Sequence, residues 1–350
     1  MTTMQLRITG ISKQPGDNVF ISLEPLDGII PPYEAGQFLT VLFPVKDKEI
    51  RRSYSICSSP DLAEPLSIAV KLVENGEISK YLHHKTATGD ILTALYPTGI
   101  FTYAPVTNIK RTVFLFAAGV GITPIFSILK TALTSELHSK IVLIYSNKSQ
   151  DNTLFFDELN KWQQLYPERF KLIYLFSDAK QLQFARLNSF LIHDLFEANL
   201  TFDQSDAICY TCGPIDYMVM CRISLLAMGF RIDQIKKETY FIPEDEMDED
   251  DMTEKEIRDK NTYTVILDFN KNTYQLEVPY YKRILQVALE HQINVPYSCR
   301  AGICSSCVAT CTAGGVKMDY NEILTDQEIA QGRVLICTGH PTANNTRIVI

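Results

Sequence analysis

Cys299, Cys304 and Cys307 stand at the spacing C-x4-C-x2-C, and Cys337 follows after 29 intervening residues. This arrangement constrains the C-terminal part of the chain more than any other feature. One short loop must wrap a group held by three thiolates, while a distant segment returns with the fourth. It is the ligand pattern of a [2Fe–2S] cluster. Gly302 and the small residues Ser298, Ala301, Ser305 and Ser306 leave room for backbone N–H groups to approach the sulfurs. A zinc site and simple core cysteines are the competing readings. Zinc sites more often use paired C-x2-C units, and only one is present here. Cys311 breaks the spacing and is expected to be a small buried hydrophobe.

A chain of 350 residues exceeds one typical core and implies two or three domains. Hydrophobic content of 46% with 21% charged residues describes a globular protein. The net charge of −8 is nearly all local: the run 244–260 holds ten acids against Lys255, Arg258 and Lys260 and supplies −7 by itself. That run is self-repelling and poor in large apolar residues, so it reads as a solvated linker. The rest is close to neutral, which argues against a nucleic-acid partner. No apolar stretch is long enough for a transmembrane segment. The opening MTTMQLRITGISKQPG lacks a basic region followed by an apolar core, so the expectation is no secretory leader and a cytoplasmic location.

Texture divides the chain further. Residues 1–105 carry short alternating runs such as Phe38–Phe43 and Leu66–Lys71, punctuated by Gly and Pro, the pattern of an antiparallel β-barrel. Across 106–243 the apolar runs TVFLFAA, KIVLIYS, FKLIYLF and DAICYTC alternate with helical stretches and predict an α/β domain with a parallel sheet. In 261–350, YTVILDF and TYQLEV suggest a hairpin, ILQVALEHQ a helix, and the cysteine loop follows, giving a compact α+β domain.

Each of the first two domains carries candidate binding residues. Arg52-Ser53-Tyr54-Ser55 resembles the R-x-Y-S motif of the ferredoxin–NADP reductase superfamily. That resemblance implies a Tyr54 ring to stack on an isoalloxazine, a Ser55 hydroxyl near its redox-active edge and an Arg52 cation for a phosphate. Taken alone, a Tyr and an Arg on a barrel strand are commonplace. In the second domain, strand TVFLFAA runs into Gly119-Val120-Gly121-Ile122-Thr123-Pro124 and a helix, where glycines admit a pyrophosphate and the helix start favours its charge. Cys212-Gly213-Pro214 ends strand DAICYTC. Ser146, Lys148 and Ser149 follow the second parallel strand, where a dinucleotide domain meets the adenosine ribose; Lys148 suits a 2′-phosphate, so the coenzyme expected is NADPH, with NADH the alternative. Tyr240-Phe241 could reach a flavin or only close the sheet. His83 and His84 read as helix-surface residues.

To the R-x-Y-S motif at Arg52–Ser55 the C-terminal part adds YSCRAGICSSC, GGVKMDY and LICTGHP, which resemble the C-terminal ferredoxin domain of class I oxygenase reductases. The nearest likeness within them is to the reductase components of phenylacetyl-CoA epoxidases. The resemblance spans the whole chain and implies an FAD-binding barrel, an NAD(P)-binding α/β domain and a β-grasp plant-type ferredoxin domain. It places Val70, Lys71, Gly76, Ile78 and Ser79 at the strand and helix start that bind the flavin pyrophosphate, favouring FAD. It makes Cys212 a contact of the nicotinamide and Tyr54, Ser55 and Cys212 the candidate catalytic residues. Cys299, Cys304, Cys307 and Cys337 become the metal ligands. The activity implied is electron transfer from NAD(P)H through FAD and a [2Fe–2S] cluster to a terminal oxygenase. Other acceptors remain open: a ring or steroid hydroxylase, a desaturase, the hybrid-cluster protein, or no turnover partner, as in a redox sensor.

Overall fold

The computed structural model describes residues 3–45, 48–179, 185–240 and 261–350. They belong to two compact units, one on each side of residues 241–260. The acidic linker expected over 244–260 lies outside the described residues, as does Phe241.

The first unit begins with an antiparallel sheet: β1 (Thr3–Gln14), β2 (Asn18–Pro25), β3 (Phe38–Val45), β4 (Lys48–Ser55), β5 (Leu66–Lys71) and β6 (Ile91–Leu95). Alternation in β1 sends Met4, Leu6 and Ile8 inward and Gln5 and Arg7 to solvent, as a half-buried strand requires. The strand order is β4-β3-β6-β1-β2-β5, and a bridge between Ile56 and Ile68 closes the two ends into a barrel. Helix α1 (Glu77–His84) plugs the barrel core with Ile78 and Leu82.

The unit continues as a parallel sheet. β7 (Thr112–Ala118), β8 (Lys140–Asn147), β9 (Phe170–Phe176), β10 (Ile208–Cys212) and β11 (Ile235–Glu238) lie in the order β11-β10-β7-β8-β9. The helices between them are α2 (Ile122–Ser135), α3 (Phe156–Leu165), α4 (Ser189–Asn199) and α5 (Ile215–Ala227). Residues of β7 from Thr112 to Ala117 are all buried, because both faces are covered. Val113, Leu115 and Ala117 pack against α2, whereas Phe114 and Phe116 face Phe196 of α4, with the Phe114 and Phe196 rings stacked 3.7 Å apart. Each such fully buried side chain contributes roughly 1.5–3 kcal/mol. Ala35, Cys57, Ala69, Phe101 and Tyr103 of the barrel part share a core with α2. The order reverses between β7 and β10, and such a switch point leaves a crevice at the carboxyl ends of the strands.

The second unit has β12 (Tyr263–Phe269), β13 (Asn272–Val278), α6 (Ile284–Glu290), β14 (Val308–Ala313), β15 (Val316–Met318), α7 (Asp326–Ala330), β16 (Arg333–Leu335), β17 (Gly339–Pro341) and β18 (Thr346–Val349). The expected hairpin joins β12 to β13 through Asn270 and Lys271, both at positive φ, the backbone of a tight two-residue turn. The main sheet runs β13-β12-β18-β14-β16 with β12 and β18 parallel, and α6 packs Ile284, Leu285, Val287 and Ala288 into its core. This is the α+β arrangement expected. Cys311 departs from expectation: it sits on β14, half-exposed, with its thiol directed to the Ala313 carbonyl at 3.3 Å.

Candidate functional site

Strand β4 carries Arg52 exposed, Tyr54 half-buried and Ser55 fully buried. Burial pushes the Tyr54 phenol well above its ordinary range, with the nearby Arg52 cation opposing. Ser55 Oγ lies 2.5 Å from the Tyr240 hydroxyl, which is 3.2 Å from Thr123 Oγ1 at the start of α2. Tyr240 therefore links the end of β4 to the start of α2, beyond the sheet-closing role the sequence left open. Burial holds the Cys212 thiol well above its usual range, and Tyr240, 39% exposed as a residue but with its hydroxyl between Ser55 and Thr123, is a hydrogen-bonding neighbour of Cys212. Cys212 is thus a neutral, protonated thiol. Ser55, Thr123, Cys212 and Tyr240 converge on one point between barrel and parallel sheet.

Near the end of β5, Val70 is buried and Lys71 exposed, and His83 on α1 hydrogen-bonds the Val70 carbonyl at 2.9 Å. The residue capping α1 is Gly76; Ser79 lies inside the first turn. The Val73 N–H donates to Ser79 Oγ at 3.1 Å and Ser79 Oγ donates to the Gly76 carbonyl at 3.1 Å, so Ser79 closes the loop. A Cβ on Gly76 would sit 2.5 Å from Ser79 Oγ and 2.9 Å from Val73 Cβ. The first-turn amides lack partners within the helix, a disposition that suits a phosphate.

At the switch point, a 3₁₀ turn over Gly119–Gly121 follows β7, and Cys212-Gly213-Pro214 leaves the adjacent β10. The two segments touch. A Cβ on Gly121 would lie 2.3 Å from the Cys212 carbonyl oxygen, and one on Gly213 would lie 2.9 Å from Ala118 Cβ. Glycine is required at both positions by this mutual approach, a reason independent of any ligand. Thr123 and Pro124 are buried in the first turn of α2, where proline costs no hydrogen bond.

Ser146 and Lys148 part company at the end of β8. Ser146 lines a cavity of about 360 Å³ with Asn147, Ser177, Arg186, Asp216 and Tyr217, whereas Lys148 is exposed and is not among its lining residues. Ser146 Oγ and Asn147 Nδ2 are buried and make no hydrogen bond of normal geometry among the described residues, with the Tyr217 and Tyr145 hydroxyls as their neighbours. The sequence reading missed Arg186, Asn147 and Asp216. Arg186 sits in FARLN, which has no motif; Asp216 follows Cys212-Gly213-Pro214 at the start of α5 and could have been flagged by that neighbourhood.

In the second unit the Cys299 thiol neighbours those of Cys304 and Cys337, and Cys337 also neighbours Cys307. The Cys299 N–H points at Cys304 Sγ at 3.2 Å and the Ala301 N–H at Cys299 Sγ at 3.4 Å. Gly302 has φ +73°, and a Cβ there would lie 2.6 Å from the Tyr320 carbonyl. The neighbouring Cys299 thiol, and then burial, raise the Cys304 thiol well above its ordinary value. The thiols of Cys299, Cys304 and Cys337, all raised, resist joint ionisation until cations neutralise them. Among the described residues no group of three or more His, Cys, Asp or Glu side chains surrounds a single metal position. The thiols neighbour one another in the order Cys304, Cys299, Cys337, Cys307, an arrangement that would suit two pairs of terminal ligands on two adjacent irons.

Comparison with known proteins matches these parts in order. Residues 29–103 match the family described as oxidoreductase FAD-binding domain, 115–222 the oxidoreductase NAD-binding domain and 267–342 the 2Fe-2S iron-sulfur cluster binding domain. The chain is similar to the ferredoxin reductase component of 3-ketosteroid-9-alpha-monooxygenase from Mycobacterium tuberculosis, 29% identical over 92% of this chain and 87% of that protein. It is also similar to one of the subunits of 1,2-phenylacetyl-CoA epoxidase from Escherichia coli, 29% identical over 99% of this chain and 97% of that one. Among solved structures, phthalate dioxygenase reductase has the same fold with a TM-score of 0.61 at 24% identity, covering 99% of this chain and 97% of that chain. Among the described residues, no helix is long and apolar enough to cross a membrane.

Proposed function

We propose that this chain, an NAD(P)H-dependent oxidoreductase with FAD-binding, NAD-binding and 2Fe-2S domains, belongs to the ferredoxin–NADP reductase superfamily and is the reductase component of a multicomponent oxygenase. The conjunction of three domains in one order carries this reading, together with coverage of 87% and 97% of the lengths of two oxygenase-linked relatives. Phenylacetyl-CoA epoxidase is the first acceptor to try, because that relative is matched almost end to end.

When bound, flavin takes a hydride and the cluster carries single electrons, so a two-electron donor feeds a one-electron consumer. The chain's residues supply positions for this. Tyr54 presents a ring face and Ser55 a hydroxyl to the flavin; Arg52, Lys71, Gly76, Ser79 and the first amides of α1 hold its phosphates, with Val70 and Ile78 shaping the wall. Gly119, Gly121, Thr123 and Pro124 on one side and Cys212, Gly213 and Pro214 on the other receive the coenzyme. The Cys212 thiol, kept protonated by burial, lines the nicotinamide side without adding charge. Cys299, Cys304, Cys307 and Cys337 hold the irons.

The coenzyme is NADPH in this reading, with Arg186 and Ser146 about its 2′-phosphate and Lys148 a second, exposed cation. Arg186→Ala is expected to raise the KM for NADPH about tenfold to a hundredfold, the worth of one charge-assisted hydrogen bond, and to change that for NADH little. Equal effects on both coenzymes would assign Arg186 elsewhere.

The function is tested by reconstitution with purified oxygenase components of the two relatives' kinds. Coenzyme oxidation coupled to formation of oxygenated product supports the reading. Reduction of a non-oxygenase acceptor, with no coupling to any oxygenase tried, overturns it.

A further inference from the structure

Helix α2 is docked on the barrel by a buried polar seam as well as by its apolar face. Lys130, only 3% exposed, places Nζ 2.5 Å from Glu64 Oε1 in the loop between β4 and β5. The same carboxylate oxygen accepts the Ser59 N–H at 2.6 Å. Thr131 Oγ1 and Ser59 Oγ are 2.8 Å apart, Ser127 Oγ donates to the Ser58 carbonyl at 2.6 Å, and Ser135 Oγ donates to Asp61 Oδ2 at 2.5 Å. Residues 127, 130, 131 and 135 fall at helical spacing on one face. All their partners lie in 58–64, the segment that leaves β4 three residues after Ser55. Phe126 adds a ring 4.6 Å from the Lys130 ammonium.

An apolar interface is non-directional and tolerates a slip, whereas a buried lysine paired with a carboxylate that is itself 30% exposed, together with its hydrogen bonds, has one satisfied register. The start of α2 is held independently, through Thr123, Tyr240 and Ser55. From Thr123 to Ser135 the helix rises about 18 Å, so two separated attachments fix both the position and the direction of α2. The Gly119–Gly121 turn, immediately before α2, is therefore fixed relative to β4.

We propose that the Lys130–Glu64 pair and its hydroxyl neighbours are positioning residues, which set the separation of donor and acceptor for hydride transfer by holding α2 in one register on the flavin strand. This rests on the reading of β4 as the flavin side and the Gly119–Gly121 turn as the nicotinamide side. It predicts that the seam controls the chemical step and not coenzyme affinity.

The test uses the full-length holoprotein in anaerobic stopped flow with NADPH, following the limiting rate of flavin bleaching, its dependence on coenzyme concentration, and the long-wavelength charge-transfer absorbance of the nicotinamide–flavin contact. Lys130→Met is expected to slow the limiting rate about tenfold to a hundredfold, as an ångström-scale misplacement does, and to weaken the charge-transfer band at unchanged half-saturation. The double variant Lys130→Met/Glu64→Leu removes the stranded carboxylate, so it recovers thermal stability yet stays slow. Thr131→Val, which keeps the ion pair, gives a smaller loss of the same kind and serves if Lys130→Met does not fold. A double variant with parental rate and charge-transfer band makes the seam merely structural and overturns the proposal. If the parent itself shows neither bleaching nor the band, the assignment of the two sides fails first, and the proposal falls with it.

Discussion

Cys299→Ala abolishes onward electron delivery while coenzyme still bleaches the flavin at the parental rate. Cys299 is an inner member of the thiol chain, beside both Cys304 and Cys337, and it receives the Ala301 N–H. Its loss would leave one of the two irons with a single thiolate ligand, and cluster binding, which depends on deprotonated thiolates, fails with it. Iron content is expected to fall to background and the visible absorbance to that of the flavin alone, and electron delivery to a protein acceptor is lost with the cluster. Cys311→Ser is the matched control: that thiol is half-exposed on β14 and touches the Ala313 carbonyl instead of the ligand set. A Cys299→Ala protein that retains full iron and delivery would contradict the ligand assignment.

The second large effect is expected at Gly121. An alanine Cβ there would lie 2.3 Å from the Cys212 carbonyl oxygen and 2.6 Å from its carbon. Neither atom is the end of a flexible side chain, so either the turn after β7 or the end of β10 must move. Overpacking of this kind costs about 1–3 kcal/mol, seen as a lower melting temperature. Because both displaced segments carry proposed coenzyme contacts, flavin reduction by NADPH is expected to slow about a hundredfold, while reduction by dithionite is unchanged. Gly119→Ala is the contrast: its φ of +54° imposes strain, but a Cβ there would have nothing within 4 Å, and the expected cost is about 1–2 kcal/mol with a smaller kinetic effect. Parental flavin reduction in Gly121→Ala would mean that the close approach of the two loops is dispensable.

What was legible in the sequence was local. The cysteine spacing lies mostly within one loop, so a candidate ligand set could be proposed directly; the continuous apolar runs of β7 and β8 announce strands covered on both faces. What was not legible depends on the return of distant segments. Tyr240 meets Ser55 across 185 positions and Thr123 across 117, and no pattern along the chain records that. Ser79 has the residue type of a helix cap but closes a loop from inside the first turn, because Gly76 already occupies the capping position. Lys130 within FSILKTAL carries no local sign of its partner, because Glu64 arrives from the barrel loop 66 positions earlier. Lys148 attracted the coenzyme assignment by its place after β8, yet the cavity lined by the neighbouring Ser146 and Asn147 draws its cation, Arg186, from beyond β9. Cys311 was expected to be buried because cysteines usually are, but its position on β14 leaves it half-exposed.

The most direct test of the electron path is anaerobic stopped-flow absorbance of the intact protein mixed with NADPH and, separately, NADH, read at wavelengths that separate flavin from cluster. The account predicts flavin bleaching followed by cluster reduction, faster with NADPH. Flavin bleaching with the cluster left oxidised would contradict it.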